Sequence, residues 1–253
     1  MSVTPTMSKT MVGRVWRFLV RRLTQWVNRI RLLVYAQRKD VLATKIFCVG
    51  RNKTGTTSLE HFFRSAGFRV APQAKAEALI YKCQFEPDDR FWAWIEKYEV
   101  FQDAPFSWSW FFSLLVERYP DARFILSVRD ERDWYVSYVE DQLKHLGLSR
   151  DASEADILAA ISTDSYIAPG YRMAVMQKIY GEDNIVAPLM GPQRAIDDYH
   201  QHNQLVRNTL MVGQLLEINL SEHASTYVLC EFLGLPKRFE GEMPRANVNR
   251  PQL

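Results

Sequence analysis

The sequence contains few of the residues that hold a small secreted domain together. Its 253 residues include only three cysteines, Cys48, Cys83 and Cys230, which are too few and too scattered for a disulfide framework or a thiolate metal site. Neither the cysteines nor the histidines show a metal-binding arrangement, so we expect no bound metal. An odd cysteine count without a secretory signal is typical of a reducing compartment, and we expect a cytoplasmic protein.

Long apolar runs are also absent. In the N-terminal segment arginine interrupts the apolar residues every few positions, so nothing approaches the roughly 20 apolar residues of a membrane span or the about 7–15 of a signal-peptide core. Residues 1–40 instead contain nine lysines and arginines and one acid, a charge of +8, whereas the remainder carries −5. A basic arm over 1–40 therefore precedes a mildly acidic domain over 41–253.

The arm has the periodicity of an amphipathic helix. Over residues 12–36, apolar side chains recur at helical spacing, at Trp16, Leu19, Leu23, Trp26, Val27, Ile30 and Val34. Such a helix either adsorbs to an anionic membrane surface, as a peripheral protein does, or docks on the body of the protein or on a second subunit of a homodimer. Its spacing does not name the surface. Without a recognition motif, the basic residues do not indicate nucleic-acid binding.

From residue 44 onward, short apolar strands alternate with helices. Strands are predicted at 45–49, 100–102, 123–128 and 215–219, and helices at 57–66, 88–98, 108–118, 131–146, 152–161, 169–181, 193–210 and 222–233. Strands joined through helices imply crossover connections and a parallel sheet. The sequence therefore predicts one α/β domain of three layers, with helices on both faces of a central parallel sheet.

The loop after the first strand has the composition of a phosphate-binding loop. Residues 50–58 read GRNKTGTTS, and a glycine loop between a strand and a helix directs backbone N–H groups and the helix N-terminus at a phosphate. An ATP-binding loop requires a lysine directly after the second glycine, Gly55. Here Thr56 occupies that position and the lysine is Lys53. A kinase that uses Mg-ATP is thus a weaker alternative. The remaining alternative is that the loop has no ligand and only joins the strand to the helix through a glycine turn.

The run KTGTTSL after a hydrophobic strand resembles the 5′-phosphosulfate loop of P-loop sulfotransferases, which use 3′-phosphoadenosine 5′-phosphosulfate (PAPS). These enzymes share the P-loop kinase architecture but carry the lysine before the second glycine, as here. The resemblance implies that Lys53 contacts the oxygen that bridges phosphate and sulfate. It further implies a cofactor-binding loop made of Arg51, Asn52, Lys53, Thr54, Gly55, Thr56, Thr57 and Ser58.

A second motif, FILSVRD followed by WYVSY, resembles the 3′-phosphate site of the same family. That site combines an arginine at the end of a strand with a serine eight residues later, and Arg129 and Ser137 have this spacing. An arginine fork binds a phosphate bidentately, here at the carboxyl edge of the predicted sheet. The resemblance extends over about residues 44–250. Near its C-terminal end, Arg245, Asn247 and Arg250 either close over the nucleotide, as the last loop does in relatives, or form a solvated tail.

The family implies a general base near the acceptor, and three residues are candidates. Asp103 follows the strand at 100–102, where cytosolic relatives have a catalytic histidine. Glu60 and His61 lie on the first helix after the loop, the region from which some Golgi relatives supply a catalytic glutamate. Each also has an ordinary interpretation, since an acid in the first turn of a helix is favoured by the helix dipole and a surface histidine needs no function.

Taken together, these features predict in-line, metal-independent transfer of a sulfuryl group from PAPS to an acceptor hydroxyl or amine. The acceptor is a small molecule or, given the basic arm, a lipid. Phe106 and Trp108, which follow Asp103 closely, are candidates for an apolar acceptor pocket. The alternative function is a non-catalytic, membrane-associated protein that retains the fold.

Overall fold

The computed structural model describes residues 9–36, 44–222 and 226–244. Four strands lie within these residues: β1 (Ile46–Cys48), β2 (Val100–Gln102), β3 (Arg123–Val128) and β4 (Leu215–Asn219). The helices of the same residues are α1 (Lys9–Ala36), α2 (Thr56–Ala66), α3 (Gln73–Lys82), α4 (Asp89–Ile95), α5 (Ser109–Arg118), α6 (Glu131–Leu146), α7 (Glu154–Thr163), α8 (Tyr171–Tyr180), α9 (Ala187–Met190), α10 (Pro192–Thr209) and α11 (Tyr227–Leu233), with short 3-10 helices at Glu182–Asn184 and Lys237–Phe239.

The four strands form one parallel sheet in the order β2-β1-β3-β4. Phe47 of β1 lies opposite Phe101 of β2 and Phe124 of β3, and β3 pairs with β4 through five residues. Because neighbouring parallel strands need crossover connections, helices lie on both faces of the sheet. The predicted fold, a three-layer α/β domain with a central parallel sheet, is confirmed.

Alternate side chains of each strand enter two separate cores. Phe47 of β1 packs with Phe101 and Phe124 against a group of aromatic residues from α4 and α5. Ile46 and Cys48 point to the opposite face, where α2 and α11 cover the sheet. Burial of apolar side chains on both faces explains why the strands appear in the sequence as short continuous apolar runs.

Helix α1 docks on the domain near its C-terminal end. Leu32 is fully buried in the core under α2, and Arg29 forms a bidentate ion pair with the buried carboxylate of Glu99, with both N–O distances 2.6 Å. A Cβ atom at Gly67 would lie 2.6 Å from the backbone nitrogen of Arg29, so this contact requires a glycine. The predicted boundary between arm and domain falls in residues 37–43, outside the described residues, and stays a prediction.

Three helices differ from the predicted pattern. The short helix α9 (Ala187–Met190) lies between the helices predicted at 169–181 and 193–210 and has no counterpart in the prediction. The predicted helices do not include α3, although its sequence QAKAEALIYK contains strong helix formers after Pro72. Helix α11 begins at Tyr227 rather than near residue 222, because the amide and hydroxyl of Thr226 donate hydrogen bonds to the carbonyl groups of Gly241 and Phe239, both at 2.9 Å. None of the described helices combines the length and the apolar content needed to cross a membrane.

Candidate active site

A cavity of about 490 Å³ opens at the carboxyl edge of the sheet, within the usual size range of small-molecule sites. The residues after β1, β2 and β3 all reach it: the loop at 51–58, Asp103 and Arg129. Helices α3, α6 and α8 form its other walls. Carboxyl ends of adjacent parallel strands are where ligands bind in open α/β sheets, so the fold brings the separate sequence motifs to one place.

The glycine loop packs tightly against β3. A Cβ atom at Gly50 would lie 2.3 Å from the carbonyl oxygen of Ser127, so no larger residue fits there without movement. Thr54 is buried and its hydroxyl lies 2.6 Å from that of Ser127. Gly55, with φ 99°, is the N-cap of α2, a backbone conformation that glycine adopts without cost. Thr54 therefore anchors the loop and does not line the cavity.

The helix that follows directs its first turn at the cavity. Gly55, Thr56, Thr57 and Ser58 all line it. The first amides of a helix lack intrahelical partners and carry the positive end of its dipole. The beginning of α2 is therefore suited to an anion, provided that the cavity also supplies cationic side chains.

Lys53 supplies one cation. Its backbone has φ 68°, an uncommon conformation for a residue with a side chain, and its ammonium group lies 2.7 Å from Oδ1 of Asp141 on α6. The side chain is about one quarter exposed in the cavity, at 25%. Lys53 therefore faces the opening between the loop and α6, where a ligand can reach it.

Arg51 and Asn52 have structural contacts. The Arg51 guanidinium is buried, donating to the carbonyl of Ser107 at 2.8 Å and pairing with Asp198 at 2.8 Å. The carbonyl of Asn52 accepts a hydrogen bond from the indole of Trp134 at 2.9 Å. Both residues line the cavity, but Arg51 is already neutralised by a carboxylate.

Arg129 is the least neutralised arginine at this edge. Its guanidinium lies 3.9 Å from the exposed carboxylate of Asp133, whereas Arg51, Lys53 and Arg172 each have a carboxylate within 3.2 Å. The Arg129 backbone is fixed by two hydrogen bonds with the hydroxyl of Tyr199, at 2.9 and 3.0 Å.

Ser137 lies two turns into α6 and lines the same cavity as Arg129. Asp130 caps the helix through its carboxylate, which accepts hydrogen bonds from the backbone amides of Arg132 and Asp133. The cap fixes the beginning of α6 directly after the end of β3, and both residues of the predicted pair line the cavity.

Asp103, at the end of β2, is a half-buried carboxylate. Its backbone has φ 60°, and its Oδ2 accepts a hydrogen bond from the Thr56 hydroxyl at 3.1 Å. Burial, with a smaller contribution from the charge of Asp141, raises the pKa of Asp103 above the ordinary aspartate value, against the opposing effect of its hydrogen bonds and of Lys53. A raised pKa brings a carboxylate nearer to the range of an effective general base.

Glu60 and His61 are on α2 but outside the residues that line the cavity. Glu60 pairs with Arg64, one turn further along the helix, at 2.7 Å, and His61 is exposed. Of the three candidate bases, the structure places Asp103 alone in the cavity wall.

The structure adds residues that the sequence did not reveal. Glu77 of α3 is 5% exposed and lines the cavity. Burial, and secondly the charge of Asp103, raises the pKa of Glu77 to about 7. The hydroxyl groups of Tyr171 and Tyr166 lower this pKa by a smaller amount. Asp141 lies on the facing wall. No local pattern in the sequence indicates that Glu77 faces this site, whose other residues come from the loop after β1, the ends of β2 and β3, and helices α6 and α8.

The candidates for the acceptor pocket and for the C-terminal loop do not all lie in the cavity wall. Trp108 lines the cavity, whereas Phe106 is fully buried in the aromatic core. Arg245, Asn247 and Arg250 lie outside the described residues. Among the described residues, no group of three or more histidines, cysteines and acids could hold a metal ion.

Comparisons with known proteins agree with this geometry. A family model described as "Sulfotransferase domain" matches residues 45–251. The crystal structure of a sulfotransferase from Alicyclobacillus acidocaldarius is similar to this chain with a TM-score of 0.51 and 15% identity, covering 81% of this chain and 87% of that chain. No curated protein sequence matches. The structural likeness supports the fold, and, since the family match spans most of the residues, the chain belongs to the sulfotransferase family.

Proposed function

We propose that the protein transfers a sulfuryl group from PAPS to an acceptor hydroxyl or amine. Membership of the family supports sulfuryl transfer in general. The observation that carries the finer proposal is that Lys53 and Arg129, on loops after two neighbouring strands, line the same cavity. A nucleotide with phosphate groups at both its 5′ and 3′ positions needs two such cationic contacts.

The residues present fit this donor. The amides and hydroxyls of Gly55, Thr56 and Thr57 would surround the 5′-phosphate, and the guanidinium of Arg129 with the hydroxyl of Ser137 would hold the 3′-phosphate. PAPS supplies the sulfuryl group and leaves as adenosine 3′,5′-bisphosphate. Lys53 would stabilise the negative charge that develops on the leaving oxygen.

Asp103 is the proposed general base. It lies in the cavity wall beside the loop, because Thr56 of the loop donates to its Oδ2. The other oxygen, Oδ1, is fixed by the amide of Ala104 at 2.8 Å. A carboxylate held in one orientation, with a raised pKa, is suited to accept the proton that the acceptor hydroxyl or amine loses as it attacks sulfur. Glu60 and His61 remain the alternative bases.

Ligand-dependent thermal stability tests the proposal. Adenosine 3′,5′-bisphosphate at about 100 times its dissociation constant should stabilise the protein by roughly 2.7 kcal/mol, while AMP, which lacks the 3′-phosphate, should stabilise it less. Release of the bisphosphate from PAPS in the presence of candidate acceptors then measures turnover.

The other outcomes discriminate between the alternatives. Stabilisation by Mg-ATP but not by the bisphosphate would indicate a kinase. No stabilisation by any of the three nucleotides would contradict the proposal and favour a binding protein that retains the fold.

A further inference from the structure

Helix α1 carries a continuous apolar face that points away from the domain. Nine residues correspond to about two and a half helical turns, so Leu19 and Leu23 lie opposite Asn28 and Leu32. Asn28 donates to the carbonyl of Ser65 at 2.7 Å, and Leu32 is fully buried. The domain therefore contacts the side of the helix that lies opposite its apolar stripe.

The outward side is exposed over several turns. Large apolar side chains on it are between 41% and 67% exposed: Trp16, Leu19, Val20, Leu23, Trp26, Ile30, Leu33 and Val34. Residues 18–24 are exposed on every side of the helix, so this part extends beyond the domain. Because a row of this size is costly in water, the face needs a partner.

The charge of the helix selects among partners. Lys9–Ala36 contains seven lysines and arginines and no acid. Two such helices packed together would bring like charges close, which opposes a pair formed through α1. An anionic lipid surface instead attracts the arginines and accepts the apolar side chains, with Trp16 and Trp26 suited to the interface.

We propose that the outward face of α1, from Trp16 to Val34, binds an anionic membrane surface and holds the domain beside it. The apolar side chains enter the interface, while Arg22 and Arg31, which are exposed and flank the apolar face on its two sides, interact with lipid headgroups. Docking through Asn28, Arg29 and Leu32 uses the opposite side of the helix, so the helix contacts the domain and the membrane at the same time. This proposal is independent of the sulfuryl donor.

Vesicle sedimentation with the full chain tests it. The chain should bind vesicles of phosphatidylcholine with about one-third phosphatidylserine, bind phosphatidylcholine alone at least about tenfold more weakly, and be released as the salt concentration rises. The double variant Leu23→Gln/Trp26→Gln should bind the anionic vesicles about tenfold or more weakly, since both side chains are more than 60% exposed in the free protein.

The matched control is Met211→Gln/Val212→Gln. Both residues are exposed apolar side chains on a loop far from α1 in the sequence, at 71% and 106%, and this variant should bind vesicles as the parent protein does. An equal loss in both variants, or no binding by the parent protein, would overturn the proposal. Sedimentation equilibrium of the same variants detects the rival partner: a dimer that Leu23→Gln/Trp26→Gln dissociates, without vesicle binding, would assign the face to a second copy.

Discussion

The ammonium group of Lys53 and the carboxylate of Asp141 form an ion pair of 2.7 Å across the cavity. Lys53 belongs to the loop after β1 and Asp141 to α6, so the pair joins two walls of the site. Each side chain is about one quarter exposed, at 25% and 26%. An anionic donor must therefore compete with Asp141 for the lysine, and the two residues should respond to mutation in opposite directions.

Lys53→Ala should lower kcat by about 10²–10³, the usual effect of removing one preorganised group that stabilises developing charge. The measurement is release of adenosine 3′,5′-bisphosphate from PAPS at saturating donor. Lys97→Ala, which removes an exposed lysine on the surface, is the control and should leave kcat unchanged. Near-normal turnover by Lys53→Ala would remove this residue from the leaving-group site.

Asp141→Asn should bind adenosine 3′,5′-bisphosphate about three- to tenfold more tightly, because the variant lacks a negative charge that both repels the ligand and occupies Lys53. A second readout concerns Asp103, whose pKa the charge of Asp141 helps to raise. In Asp141→Asn the acid limb of the activity profile should therefore move to lower pH. Weaker nucleotide binding would show instead that Asp141 positions the lysine.

Arg129→Ala should remove the discrimination between two nucleotides that differ in one phosphate group. If Arg129 binds the 3′-phosphate, the variant should lose at least about tenfold in affinity for adenosine 3′,5′-bisphosphate, the scale of a charge-assisted hydrogen bond, and little for AMP. Calorimetric titration with both ligands measures the ratio.

The control is Arg132→Ala, which removes an exposed arginine three residues along the chain. It should leave both affinities unchanged. An equal loss for AMP and for the bisphosphate in Arg129→Ala would assign Arg129 to the 5′ side, or to the fold.

The sequence alone was sufficient to predict those strands and helices that a local pattern of residues specifies. The strands at 100–102, 123–128 and 215–219 are confirmed, because buried parallel strands are short apolar runs between helix signals. The loop and Arg129 could be recognised because their spacing is local. Asp141 and Glu77 could not, since their place in the cavity depends on how α6 and α3 pack against the sheet.

The arm illustrates the same limit. Its periodicity predicted an amphipathic helix, and α1 confirms the helix. The sequence did not show that the side opposite the apolar stripe would meet the domain, because this contact depends on Glu99, a buried carboxylate 70 residues further along the chain that pairs with Arg29. Charge pairing across such a distance has no local signature.

The three candidate bases can be separated by parallel substitution. Asp103→Asn should lower kcat about 10²–10⁴-fold, the range for loss of a general base, while Glu60→Gln and His61→Gln should stay near the parent value because neither residue lines the cavity. In the parent protein, activity should fall as pH decreases through the raised pKa of Asp103, since only the carboxylate form accepts a proton. A large loss in Glu60→Gln or His61→Gln with full activity in Asp103→Asn would reverse the assignment.

Buried Glu77 makes the stability of the protein depend on pH. Its pKa is about 7 in the folded protein against an ordinary value of 4.5, so between these values the folded state retains a proton that the unfolded state has lost. Stability therefore falls as pH rises through this window. The cost of ionising Glu77 in place reaches about 3 kcal/mol above the folded pKa, on the scale of 1.36 kcal/mol for each pH unit.

Glu77→Gln should abolish this cost, because an amide is neutral at every pH and can still accept hydrogen bonds from Tyr166 and Tyr171. The free energy of unfolding of the variant, relative to the parent, should rise by up to about 3 kcal/mol between pH 4 and pH 8. Urea unfolding at several pH values measures this difference. Glu117→Gln, at an exposed position, provides the control and should follow the parent protein throughout. A difference for Glu77→Gln that stays constant with pH would mean that the carboxylate is already ionised in the folded protein, held by a cation that enters the cavity or by water.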